Sequence, residues 1–209
     1  MKSSILFILL LTYLISIAGQ SAMDTTRFRK EIPTYTNGEP NLFFKLAQQK
    51  VKQLKIDTLQ NGFDSLQIRI WYDYSLWKLR KLLVITRANH TWTATAYTMT
   101  VDWNDRELTE IVNTKKIEIL NPKNGWNDFL NKLFTLKITE LPNMHDIPGL
   151  EDGWMDGITY NVEVATKKHY RFYGYHLPDK FQDDYWQAKN MVDILRLVES
   201  EFGIYSDIK

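Results

Sequence analysis

The stretch ITYNVEVATKKHYRFYGYH, residues 158–176, decides the fold, because it reads as two β-strands joined by a short turn. Between Ile158 and Val164, apolar side chains occupy every second position, which is the period of a strand with one buried face. The second half, HYRFYGYH, follows the pair Lys167-Lys168, and its many aromatic residues also favour a strand. The sequence therefore predicts an antiparallel hairpin here.

Four more strands are predicted before this hairpin. The segment SLQIRIWYDY, residues 65–74, alternates in the same way, with every second side chain from Leu66 to Tyr74 turned inward. The other three are rich in β-branched and aromatic residues and lie at KLLVITR (81–87), TWTATAYTMTV (91–101) and KKIEIL (115–120).

Three segments have the 3.6-residue period of helices instead: 41–54, 125–138 and 183–204. Asn41 is expected to cap the first helix, and Gly203 is expected to end the last one. The order of elements predicts an α+β fold, with a mainly antiparallel sheet of about six strands and helices packed on one face.

The N-terminus has the features of a secretory signal peptide. Lys2 precedes an apolar run of about 13 residues, shorter than the roughly 20 that span a bilayer, and small and polar residues follow. We predict a signal peptide over 1–19 with cleavage between residues 18 and 22, an extended segment over 20–40 and a single domain over 41–209. The mature protein is then periplasmic or secreted and has no transmembrane segment, whereas the alternative is an uncleaved N-terminal anchor.

The composition excludes several classes of function. The chain has 26 Lys and Arg and 25 Asp and Glu, and loss of Lys2 with the leader leaves the charges balanced. A neutral chain has no electrostatic attraction to nucleic acid or to an anionic membrane. The sequence has no cysteine, which rules out disulfides, thiolate chemistry and cysteine-ligated zinc.

The strand HYRFYGYH is the first candidate for a binding surface. Its alternation places Arg171, Tyr173 and Tyr175 on one face, and exposed Tyr and Arg together are typical of binding surfaces. Gly174 indicates a bulge or the close approach of another backbone or a ligand. The alternative is structural, because aromatic pairs across strands stabilise a sheet without any ligand.

The second candidate is the loop from Leu141 to Gly157, which is long for a compact domain and gathers acidic side chains around Trp154. Its acidic residues and histidine are His145, Asp146, Glu151, Asp152 and Asp156. The alternating Asp and Asn pattern of a calcium loop is missing, so we expect no metal. The alternative is again structural, since Asp-Gly pairs form turns.

Catalytic motifs are not found in the sequence. It contains neither a Gly-x-Ser-x-Gly elbow nor a His-Glu-x-x-His motif. We therefore assign no catalytic residue and no cofactor, and enzymatic activity stays an open question at this level.

Several runs carry a resemblance to known sequences: WYDY, LLVIT and WTATAYTMTVDW, then ITELPNMHDIPGL and DGITYNVEVATKKHYRFYGYHLP. They resemble uncharacterised small exported proteins of Bacteroidota bacteria, for which no activity is known. The resemblance implies a location in the bacterial envelope and assigns no residue a role.

The leading expectation is a non-catalytic binding protein of the envelope, whose partner is another envelope protein or a small ligand and not nucleic acid. Its candidate ligand-binding residues are Asp152, Trp154, Asp156, Arg171, Tyr173 and Tyr175. The alternative is an envelope hydrolase that acts on glycans through acidic residues of the loop, with His145 or His176.

Overall fold

A computed structural model describes residues 27–75, 77–103, 109–150 and 156–206. The expected signal peptide and its cleavage zone lie outside the described residues. No helix in the described part of the chain is long and apolar enough to cross a membrane.

The chain forms an α+β fold around one sheet with the strand order β1-β7-β6-β2-β3-β4-β5. All neighbouring strands are antiparallel except β1 and β7, which are parallel. The strands are β1 (Arg29–Glu31), β2 (Leu66–Tyr74), β3 (Leu79–Ala88), β4 (Thr91–Trp103), β5 (Thr109–Leu120), β6 (Ile158–Thr166) and β7 (His169–His176).

The sheet has seven strands where the sequence predicted about six, and β1 is the addition. It comes from the segment 20–40, which was expected only to be extended, and pairs with the first three residues of β7. Three residues are too few to show a period of two, so the pattern could not reveal this strand. Pro33 follows closely and has no N–H to donate to a ladder, which accounts for the shortness of β1.

Helices cover both faces of the sheet, which corrects the expectation of one covered face. The helices are α1 (Leu42–Gln53), α2 (Trp126–Thr135) and α3 (Trp186–Phe202). On one face, α2 and α3 pack against the alternating apolar residues that the sequence predicted to be buried. On the other face, α1 packs against Trp71, Tyr170 and Phe172. Trp71 lies between the inward positions predicted for β2, and Tyr170 and Phe172 lie on the side of β7 opposite the proposed binding residues. These large rings need a cover of their own, so the strands are buried on both sides.

The predicted ends of the first and last helices are confirmed. Asn41 Oδ1 accepts a hydrogen bond from the Phe44 N–H at 2.9 Å, as an N-cap should. Gly203 ends α3 with a φ of 67°, and its N–H donates to the Glu199 carbonyl at 2.9 Å.

A buried carboxylate lies at the centre of the face that α1 covers. Glu163 is 0% exposed and accepts hydrogen bonds from Trp71 Nε1 at 3.0 Å, Tyr170 Oη at 2.7 Å and Gln48 Nε2 at 3.0 Å. Arg69, its partner across β2 and β6, lies 3.6 Å away and is 2% exposed. Burial, with the charge of Glu163 second, raises the pKa of Tyr170 well above its usual range. The phenol therefore stays protonated and acts as a donor.

A second ion pair, between the buried Lys50 and the half-buried Asp73, fixes α1 further along the same face. Lys50 of α1 binds Asp73, and Asn161 Nδ2 donates to the other oxygen of Asp73 at 3.1 Å. Burial lowers the pKa of Lys50, and the charge of Asp73 opposes that shift. A Cβ added at Gly174 would lie 2.5 Å from Asn161 Oδ1. The glycine is therefore required by a close side chain of the protein itself.

The long edge strand β5 is irregular. Its register with β4 shifts twice, between Ala94 and Ala96 and between Thr100 and Val101. It also exposes Lys115 and Lys116. Bulges and lysines on an edge strand disfavour pairing with the edge of another sheet.

We predict that Glu163→Gln lowers the free energy of unfolding by about 3–5 kcal/mol, because it leaves the buried Arg69 without a counter-charge. The matched control is Glu39→Gln, which removes an exposed ion pair with Lys45 and should cost about 0–1 kcal/mol. Urea denaturation of both variants measures the difference. Equal costs would show that the Glu163 network contributes no more than a surface pair.

We also predict that Gly174→Ala costs about 1–3 kcal/mol, because the new methyl group meets Asn161 Oδ1. In an Asn161→Ala background the same change should cost less, since the obstructing atom is gone. Denaturation of the two single variants and the double variant tests this, and simple additivity would contradict it.

Candidate functional site

The two tyrosines predicted to bind a ligand are core residues. Tyr173 is buried and its hydroxyl donates to the Ile138 carbonyl at 2.6 Å. Tyr175 is buried beside it, with the two rings edge to face at 6.1 Å. Burial raises the pKa of both phenols. The structural interpretation of this strand therefore describes these two residues better than the binding interpretation.

Arg171 holds other parts of the chain in place. Its Nε lies 2.7 Å from Glu31 of β1, its Nη2 donates to the Leu141 carbonyl at 2.9 Å, and its Nη1 donates to the Thr139 carbonyl. All three guanidinium nitrogens are thus engaged within the protein. The side chain ties β1 and the segment after α2 to the edge of the sheet.

The predicted loop is described only in part. Asp152 and Trp154 lie outside the described residues, and Asp156 is exposed just before β6. His145 and Asp146 are exposed on a short 3₁₀ turn, Met144–Asp146.

The loop and the predicted strand do meet, in a cleft of about 810 Å³ that we call the edge cleft. It is lined by residues 30–36, Asn41, Phe43, Asn143, His145, Asp146 and residues 171–173. Much of its polar surface serves folding: Asn143 Oδ1 accepts from the Gly174 N–H at 3.0 Å, and the Tyr35 hydroxyl accepts from the Leu42 N–H at 2.9 Å. These polar groups of the edge cleft therefore hold segments of the chain together.

We predict that Arg171→Gln speeds amide exchange in β1 at least about tenfold, because hydrogen bonds to charged groups contribute about 1.5–3 kcal/mol. Mass spectrometry of hydrogen exchange over residues 27–36 measures this. The control is Arg29→Gln, which removes an exposed partner of the same Glu31 and should leave exchange nearly unchanged. Equal effects of both variants would contradict the role given to Arg171.

A second cleft, of about 960 Å³, lies at the end of the sheet where the β3–β4 and β6–β7 hairpins turn. We call it the hairpin-end cleft. It is lined by Asp57, Thr58, Asn61, Gly62, Phe63, Asp64, Ser65, Arg87, Ala88, Asn89, His90 and Lys167.

Local geometry fixes the walls of the hairpin-end cleft. The Phe63 N–H donates to the Thr166 carbonyl at 3.0 Å, and a Cβ on Gly62 would lie only 2.9 Å from that same oxygen. Asn89 and His90 form the β3–β4 turn with φ angles of 49° and 63°. Two-residue hairpins favour this left-handed conformation, although it is uncommon for histidine. Both walls are thus tight turns attached to the sheet.

Most polar side chains of the hairpin-end cleft make no hydrogen bond or ion pair with the described residues, although the charge of Asp57 acts on the buried Arg69. Among the described residues, no side-chain hydrogen bond or ion pair involves any of the following: Asp57, Thr58, Asn61, Asp64, Ser65, Asn89, His90 and Lys167. Arg87 lies 5.9 Å from the centre of the Trp92 ring. In the edge cleft, by contrast, Arg171, Asn143 and Tyr35 all form hydrogen bonds within the protein.

The chemistry of this lining is balanced. Two carboxylates are offset by Arg87 and Lys167, while amides, hydroxyls and an imidazole supply both donors and acceptors. Phe63 adds one aromatic surface. Such a lining suits an uncharged ligand with many hydroxyl groups.

Sequence reasoning missed this cleft, because its residues come from three separated turns. The available signal was Asn89-His90 at the hairpin turn, directly after the charged Arg87. We interpreted that dipeptide as a connection between strands and not as part of a binding site. Within the described residues, no group of three or more His, Cys, Asp or Glu side chains is arranged to hold a metal ion.

In comparisons with known proteins, no family model, no curated protein and no solved structure matches the chain. The fold and the clefts define it as an α+β protein with a mixed seven-stranded sheet between helices, and the function is argued from its own residues.

Proposed function

We propose that this chain is a non-catalytic binding protein of the bacterial envelope that takes an uncharged, hydroxyl-rich ligand, a carbohydrate, into the hairpin-end cleft. The observation that carries the proposal is a cleft of about 960 Å³ in which most hydrogen-bonding side chains have no partner among the described residues. A site of that size accommodates several sugar units, and these side chains are available to hydroxyl groups at the cost of becoming ordered.

The location rests on the N-terminal sequence. The apolar run after Lys2 has the length of a signal peptide, and the cysteine-free, charge-balanced chain fits an exported bacterial protein with no nucleic acid partner. The resemblance to exported proteins of Bacteroidota supports the same location.

Charge balance favours a carbohydrate over an anionic ligand. Arg87 and Lys167 would attract a phosphate or carboxylate, but Asp57 and Asp64 share the cleft with them. Carboxylates, amides and arginine present paired acceptors or donors that match neighbouring hydroxyl groups.

One observation also supports a second candidate function, glycoside hydrolysis. Glycosidases need two carboxyl groups beside the bond that is cleaved, and Asp57 and Asp64 line one cleft. Of the acids that the sequence proposed for a hydrolase, Asp146 lines the edge cleft and Asp156 is exposed before β6, whereas Glu151 and Asp152 lie outside the described residues.

The test is calorimetry of the chain from Gln20 to Lys209 with a panel of neutral oligosaccharides. The test variant Asp64→Ala/Asn89→Gly removes one carboxylate and one amide, and glycine suits the left-handed turn. We predict that affinity falls about fivefold to a hundredfold, since each of the two lost hydrogen bonds is worth about 0.5–1.5 kcal/mol.

The control is Asp156→Ala, which changes an exposed acid outside the cleft and should retain binding. Binding that both variants retain, or no binding by the wild type, would overturn the proposal. New reducing ends after incubation, lost in Asp57→Asn and in Asp64→Asn, would establish the hydrolase instead.

A further inference from the structure

An exposed tryptophan lies at the end of the sheet opposite the hairpin-end cleft. Trp77 follows β2 in the turn to β3 and is 58% exposed. Its ring stacks on the buried Tyr74 ring, with 5.7 Å between centroids and an interplanar angle of 6°. One face of the indole thus packs on a ring of the core, and its other face points away from the core.

Several contacts fix the turn that carries Trp77. Ser75 and Gly157 exchange backbone and hydroxyl hydrogen bonds of 2.7–2.9 Å. Arg80 donates to the Trp77 carbonyl and also lies 3.6 Å from the half-buried Asp73. The backbone of the Trp77 turn is therefore connected to the same Asp73 that binds Lys50 of α1.

Four other tryptophans whose side chains are described make contacts of a structural kind. Trp71 is fully buried, and Trp92 and Trp126 stack on each other at 6.1 Å. Trp186 is 52% exposed, but the Lys137 ammonium lies 4.8 Å from its ring centre. Within the described part of the chain, the Tyr74 ring is the only ring or cationic group that lies against the Trp77 ring.

The surroundings of Trp77 are polar. Lys78 and Asp102 form an exposed ion pair at 2.8 Å. Lys81 lies 5.8 Å from the Tyr74 ring and donates to the carbonyl of Tyr205, which is 64% exposed. An open aromatic face beside hydrogen-bonding groups is suited to a ligand with an apolar face and polar edges.

We propose that the Trp77–Tyr74 stack is a second carbohydrate contact, which receives the apolar face of a pyranose ring. The C–H groups on that face carry partial positive charge and are attracted to the electron-rich face of the indole. Lys78 and Asp102 then meet the equatorial hydroxyls. This contact extends the proposed function, but its site shares no residue with the hairpin-end cleft.

The two sites lie about 30 Å apart, because Ser65 and Ser75 flank the nine residues of β2 and a strand rises about 3.3 Å per residue. That separation is larger than one oligosaccharide in the hairpin-end cleft. The two contacts therefore engage separate parts of a polymer, or two polymers.

The test is affinity electrophoresis of the chain from Gln20 to Lys209 in gels that contain hydroxyethyl cellulose, galactomannan or dextran. We expect at least one polymer to retard the wild type and Trp77→Ala to weaken that retardation about tenfold or more. Trp77→Phe, which retains a ring, should restore part of it. Circular dichroism of each variant shows that the fold is intact.

The matched control is Trp186→Ala, which removes an equally exposed indole and should leave retardation unchanged. Full retardation of Trp77→Ala, or no retardation of the wild type by any of the three polymers, would overturn the inference. The cleft variant Asp64→Ala/Asn89→Gly separates the two proposals. If only Trp77→Ala loses retardation, the polymer binds the Trp77–Tyr74 stack and not the hairpin-end cleft. If only the cleft variant loses it, the polymer binds the hairpin-end cleft and not the stack.

Discussion

The structure depends on one constraint, the burial of the Glu163 carboxylate between the sheet and α1. A buried charge is tolerated only when hydrogen bonds and a counter-charge replace water, and here those groups come from β2, β7 and α1. A shift of β6 by one residue would turn Glu163 to the other face, into the apolar core under α2 and α3. The carboxylate therefore sets the register of the central strands as well as the position of the first helix.

Buried and half-buried charges on the face that α1 covers also contact the turns at both ends of the sheet. Arg69 binds Glu163 and also donates to the carbonyl of Asp57, the first residue of the hairpin-end cleft, at 2.6 Å. At the opposite end, Asp73 connects Lys50 to Arg80 and so to the Trp77 turn. The candidate ligand groups thus stand on turns that buried charges hold in place, which is the kind of support a precise binding site needs.

The sequence predicted the α+β class, six of the strands and all three helices, because long periodic segments carry a clear signal. It missed β1, whose three residues have no readable period. It also placed Trp71 on the outer face of β2 and proposed Arg171, Tyr173 and Tyr175 as an exposed face of β7, because alternation identifies one buried face and says nothing about whether the other is covered. The hairpin-end cleft could not be predicted for a different reason. Asp64, Asn89 and Lys167 come to line one cleft only through strand pairing, which no local pattern encodes.

The covering of both sheet faces also bears on how this protein can change over time. With the central strands covered by helices on both faces, recognition falls mainly to the turns and edges around the sheet. Turns tolerate substitution and insertion far better than packed strands do. New ligand preferences can therefore arise by exchange of a few turn residues while the buried framework stays the same, so relatives with this fold should differ most where they bind.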